Sequence, residues 1–78
     1  MREVLRQYRL KSGMTVEQIA EIVKVAPSTY YKWEDGSRSP NIKKALLLAK
    51  ILGSTVEELF FDEYLDKTSK QNKKESIQ

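Results

Sequence analysis

Pro27, Ser28, Tyr31 and Lys32 fall on one face of a short helical stretch, PSTYYKWED, and offer a ring, a hydroxyl, a phenol and an ammonium to whatever lies opposite. The other face carries Tyr30 and Trp33, three residues apart and joined by Val25 from the preceding turn, a spacing that assigns them to the core rather than to stacking on a ligand. Such an outer face can make hydrogen bonds and apolar contacts, but it holds no nucleophile paired with a base. The chain has no cysteine and no histidine, which removes disulfides, the usual zinc sites and imidazole acid/base chemistry. Glu57, Glu58, Asp62 and Glu63 are crowded, yet Glu58 fits a helix cap and no ligand set closes around the others. The residues suit recognition, and neither an enzyme nor a cofactor is expected.

The net charge of +3 is small, so its distribution matters more than its size. Arg2, Arg6, Arg9 and Lys11 stand against Glu3 near the N-terminus. Lys24, Lys32, Arg38, Lys43, Lys44 and Lys50 outnumber Glu34 and Asp35 in the middle, whereas residues 51–66 carry acids and no base. A basic surface around the PSTYYKWED helix and the loop after it would suit a polyanion, with the acidic segment held away. The longest apolar run, ALLLA, is far shorter than the ~18 residues of a membrane span, and the N-terminus has no signal-peptide pattern. A cytoplasmic protein with no membrane partner is expected.

The elements that must position these residues follow from caps and breakers. A first helix from about Arg2 to Ser12 turns Leu5 and Tyr8 inward, with Val4 a further candidate, and stops at Gly13. Thr15 with Gln18 forms a capping-box signature, so a second helix starts at Val16 with Ile19, Ala20 and Val23 on its core face. Pro27 suits the first position of the third helix, which ends at Asp35-Gly36. Asn41, or alternatively Ser39 followed by Pro40, caps a fourth helix from Ile42 to Leu52, with Ile42, Ala45, Ala49 and Leu52 at core spacing. Thr55 with Glu58 opens a short fifth helix that packs Val56, Leu59 and Phe60 back.

These elements predict a compact, all-α, five-helix domain over residues 1–65, followed by a polar, disordered tail over 66–78. Leu47 and Ile51 lie off the main stripe of the fourth helix, and Phe61, Tyr64 and Leu65 look too apolar for water. Together they form a candidate dimer face; the competing reading is that the C-terminus folds over the fourth helix.

The spaced set Leu5, Gly13, Thr15, Ile19, Ala20, Val25, Tyr30, Trp33, Glu34, Gly36, Pro40, Leu52, Gly53, Glu58, Leu59 and Phe60 resembles the lambda-repressor-like helix-turn-helix family, of the phage repressor/Cro or XRE type. The resemblance covers roughly residues 4 to 61 and is specific because the positions match together. It implies that residues 27–34 are the recognition helix, entering the DNA major groove by its N-terminal end. Pro27, Ser28 and Lys32 then stand at base-reading positions with Tyr31 beside them. Backbone N–H groups near Val16 and Asn41 would clamp phosphates, joined by the side chains of Ser37, Arg38, Lys43 and Lys44. Arg9 and Glu34 would form a partly buried ion pair between the first and third helices.

Three residues depart from the family pattern. Val16 replaces a frequent glutamine, Lys24 a common turn glycine, and Ala26 the usual serine or threonine cap of the recognition helix. The function expected from the resemblance is a sequence-specific regulator of transcription that binds double-stranded DNA as a homodimer on a pseudo-palindromic site, acting as a repressor, with no small-molecule effector. The alternative is an antitoxin-like or adaptor module that uses the same fold to bind a protein.

Overall fold

The computed structural model describes residues 1–61, and within them five helices run in the order α1 (Glu3–Lys11), α2 (Val16–Ile22), α3 (Pro27–Asp35), α4 (Ile42–Leu52) and α5 (Val56–Leu59). No strand occurs among the described residues, and the fold is the expected all-α arrangement. Tyr64, Leu65 and the expected tail lie outside the described residues.

Caps set the helix starts. The Thr15 hydroxyl accepts from the Gln18 N–H at 3.1 Å while the Gln18 amide oxygen accepts from the Thr15 N–H at 2.9 Å, so the capping box of α2 is complete. Asn41 caps α4 by accepting from the Lys44 N–H at 2.9 Å, which decides against the Ser39 alternative. Thr55 accepts from the Glu58 N–H, but the Glu58 carboxylate turns to the hydroxyls of Ser54 and Tyr8. Only half of that second box is formed, and the freed carboxylate ties α5 to α1.

Helix ends repeat one motif. After α1, Met14 N–H donates to the Arg9 carbonyl and Gly13 N–H to that of Leu10, the paired bonds of a Schellman turn with a left-handed residue between. After α2 the same two bonds run from Val25 to Ala20 and from Lys24 to Glu21. Lys24 therefore occupies the left-handed position with φ of 59°, the one such non-glycine among the described residues. The departure at Lys24 keeps the turn geometry and carries its strain.

The core joins Leu5, Ile19, Ala20, Val23, Tyr30, Trp33, Ala45, Leu48, Ala49, Leu52, Leu59 and Phe60. Tyr30 and Trp33 pack edge to face with centroids 5.8 Å apart, a favoured aromatic geometry. Two expectations for α4 and one for α1 need correction. Ile42 is 55% exposed and Val4 is 41% exposed, while Leu48 is fully buried. The buried stripe of α4 is Ala45, Leu48, Ala49 and Leu52, offsets of three, one and three, and Ile42 in the first turn lies off its end.

Candidate nucleic-acid interface

The residues of the outer face of α3 are exposed, as their spacing predicts. Pro27, Ser28, Tyr31 and Lys32 are all exposed, Tyr31 to 49%. Tyr30, Trp33 and Glu34 on the reverse of the same helix are buried, so α3 is fixed by one face and free on the other. Ala26 precedes it with no side-chain cap, leaving the first N–H groups of the helix without the usual hydroxyl partner.

Glu34 anchors the buried face. Its carboxylate accepts from Arg9 Nε at 2.5 Å and Nη2 at 3.2 Å, and from the Tyr30 hydroxyl at 2.7 Å. The third arm of Arg9 donates to the Met14 carbonyl, so every group is satisfied, as a buried ion pair requires. The hydrogen bonds that Arg9 donates to Glu34 raise its pKa above the ordinary value against the opposing effect of burial. Burial first, and the neighbouring carboxylate second, push the Tyr30 phenol up. Arg9 and Glu34 thus form the ion pair expected of them, and it holds α3 against α1.

A groove of about 350 Å³ lies between α3 and the start of α4, lined by Val25, Thr29, Lys32, Trp33, Arg38, Ser39, Pro40, Asn41 and Lys44. It brings together Lys32, Arg38, Asn41 and Lys44, four residues chosen from the sequence for DNA contact. Thr29, an exposed residue that the sequence does not mark for contact, joins them; its place between Ser28 and Tyr30 carries no signal of facing the loop. Pro27, Ser28, Tyr31, Val16, Ser37 and Lys43 do not line this groove.

Backbone donors are available at both expected helix starts. In α2 the Gln18 N–H goes to Thr15, and in α4 the Lys44 N–H goes to Asn41. The first N–H groups of each helix, those of Val16 and Glu17 and of Ile42 and Lys43, lack intrahelical partners by geometry and favour an anion by position. The Val16 side chain itself packs partly against the core.

Two side chains expected to grip phosphate have work inside the protein. Lys44 donates from Nζ to the Val23 carbonyl at 2.6 Å, capping the end of α2 from α4, and also lines the groove. Ser37 gives both its N–H and its hydroxyl to one Asp35 oxygen, each at 2.7 Å. Those bonds hold the Asp35 carboxyl below the usual carboxylate range. Arg38 and Lys43 are exposed. The N-terminal basic cluster also divides, because Arg2 and Arg9 are buried, Arg6 is half-buried and Lys11 is exposed.

Of the expected dimer face, Leu47 is 38% exposed and Phe61 55%, while Ile51 is half-buried against the core. The larger apolar exposure on α4 belongs to Ile42 and to Leu46, which is 57% exposed. Both line a groove of about 540 Å³ with Ala49, Lys50, Ser54, Thr55, Val56 and Glu57. No helix among the described residues is long and apolar enough to cross a membrane.

A capped helix, a left-handed turn and a third helix buried on one face, with a basic groove beside it, define a helix-turn-helix protein of the lambda-repressor type, and the chain belongs to that family: the family's sequence profile, described as helix-turn-helix, matches residues 5–59. Among its relatives is an HTH-type transcriptional regulator of Archaeoglobus fulgidus, 36% identical over 64 residues that cover 81% of this chain and 91% of that one. The HTH-type transcriptional activator BcrR of Enterococcus faecalis is 35% identical over 81% of this chain, which spans 31% of BcrR. The HTH-type transcriptional regulator AnsR of Bacillus subtilis is 30% identical over 86% of this chain and 58% of its own length. No solved structure matches.

Proposed function

We propose that the protein is a sequence-specific regulator of transcription that binds double-stranded DNA through the major groove with α3. The observation that carries this reading is the division of α3 into a face pinned by Tyr30, Trp33 and Glu34 and an exposed face bearing Ser28, Tyr31 and Lys32, with Lys32 sharing a groove with Arg38 and Asn41. Lys32 is the principal base reader, donating to guanine O6 or N7. Ser28 addresses several bases, Pro27 offers its ring to a thymine methyl, and Tyr31 lies near base edges or phosphate. Arg38 and Lys43, with the N–H groups at the starts of α2 and α4, clamp the backbone, supported by Lys44 and by Ser37 once Asp35 releases it.

The protein acts as a homodimer on half-sites about one helical turn, ~34 Å, apart. Exposed Leu46, Leu47 and Phe61 supply apolar surface for the second copy. Occupying the operator suffices to exclude a polymerase, so repression is the simplest output, and no effector site is needed for it. Selection of bound fragments from random duplex DNA should return a pseudo-palindrome, and sedimentation should give twice the chain mass. Recovery of no preferred sequence would reject the reading.

The apolar groove between Ile42 and Val56 favours one alternative, a module that binds a partner protein. In that case Leu46→Asp abolishes activity while charge reversal at Lys32 and Arg38 leaves it intact; the opposite pattern rejects the alternative.

A further inference from the structure

Arg2 is 5% exposed although it is the second residue of the chain. Its backbone N–H donates to the Glu34 carbonyl at 2.7 Å. Its guanidinium donates from Nη1 to the Trp33 carbonyl at 2.5 Å and to the Arg38 carbonyl at 2.9 Å, and from Nη2 to the Ser39 hydroxyl at 2.9 Å. The same group lies 5.1 Å from the centroid of Phe60, at a distance suited to a cation–π contact.

These bonds serve the C-terminal end of the recognition helix. The last carbonyls of a helix lack intrahelical donors. In α3 the Lys32 carbonyl is taken by the Arg38 N–H, and those of Trp33 and Glu34 are both taken by Arg2. A cation at this position also complements the negative end of the helix dipole. One residue about thirty positions earlier in the sequence therefore caps α3 and, with the same planar fork, grips the loop at Arg38 and Ser39. Those are the groove residues that lie between Lys32 and the α4 cap Asn41.

We propose that Arg2 is a positioning residue for DNA binding: it fixes the 36–41 loop to the end of the recognition helix, so that Arg38 reaches phosphate in register with Lys32. Arg2 touches no DNA itself, because its donors are turned inward. The inference rests on the DNA reading above. A lysine at this site keeps the charge and loses the fork, since a single ammonium cannot hold carbonyls and a hydroxyl at the fixed angles of a guanidinium.

The test uses Arg2→Met, which keeps an apolar side chain on Phe60, alongside Arg2→Lys and Arg38→Ala, in the full chain below its unfolding temperature. Binding to a selected duplex is measured across a salt series, and amide order parameters of residues 36–39 and 41 are measured without DNA. Arg2→Met is expected to lower the order parameters of the loop and to reduce the slope of log affinity against log salt by about one, the loss of one phosphate contact. Arg38→Ala should reduce the slope equally, and adding Arg2→Met to it should reduce it no further. Arg2→Lys should behave as Arg2→Met. An unchanged loop and a native slope in Arg2→Met overturn the inference while leaving the DNA reading in place. Additive slope losses in the double variant overturn it as well, since Arg2 would then act independently of Arg38. A native chain that binds no duplex overturns the DNA reading and this inference with it.

Discussion

At the scale of single residues, Glu34 carries the heaviest demand, because its buried carboxylate serves Arg9 and Tyr30 at once. Removing one partner of a buried pair leaves the other charge uncompensated, at a cost of roughly 3–5 kcal/mol. Arg9→Met should therefore lower stability by about that amount in denaturant unfolding. Glu34→Gln added to it should recover part of the loss, since a neutral amide can still accept from Tyr30. Equal losses from the single and double variants would contradict the pairing. The phenol adds a pH dependence. Its pKa in the folded protein is raised above the ordinary 10.0, so its contribution to stability is complete below pH 10 and is lost as pH rises further through the folded value. Native protein should lose stability above pH 10 more steeply than Tyr30→Phe, as read by urea midpoints; parallel curves would show that Tyr30 is not the group responsible.

At the scale of elements, the turn between α2 and α3 departs most from what its geometry favours. Lys24 sits at a φ of 59°, a conformation that costs a side chain ~1 kcal/mol or somewhat more. Ala26 leaves α3 without a side-chain cap, a lack worth ~1 kcal/mol. Ala26→Ser and Lys24→Gly should each raise stability by up to about 1 kcal/mol, and together by nearly the sum unless the shared turn couples them. A loss of stability in either variant would show that the turn is held by contacts beyond its own backbone. This region was also the most legible in the sequence. Thr15 with Gln18, Pro27, and Tyr30 with Trp33 each express a local rule whose partners lie within four residues, and the structure shows them obeying it. Helix α4 was less legible because its apolar residues exceed one face. Ile42, Leu46, Leu47 and Leu48 are equally apolar, and which of them is buried depends on where α5 and the end of α2 approach; that tertiary fact has no local signature.

At the scale of the whole molecule, the same contrast separates the two arginine anchors. Arg9 and Glu34 could be paired from the family resemblance, whereas Arg2 read as one more N-terminal cation. Its role depends on the chain's beginning meeting the end of α3 across the fold. Two of the N-terminal cations, Arg2 and Arg9, are internal and add nothing to the exposed charge. What remains outside on α3 is an exposed face of Pro27, Ser28, Tyr31 and Lys32 beside a basic groove, a sparse reading head if the proposed DNA contact holds. Affinity should then come largely from phosphate contacts, with specificity shared between Lys32, half-site spacing and DNA shape.

The most direct measurement is the affinity of native protein and of Lys32→Ala for a selected duplex and for random duplex, each followed from about 50 to 200 mM salt. If α3 reads bases, native affinity falls steeply and linearly on logarithmic axes, and Lys32→Ala loses about 1–3 kcal/mol on the selected site with a much smaller loss on random DNA. Equal losses on both duplexes, or an affinity indifferent to salt, would contradict it.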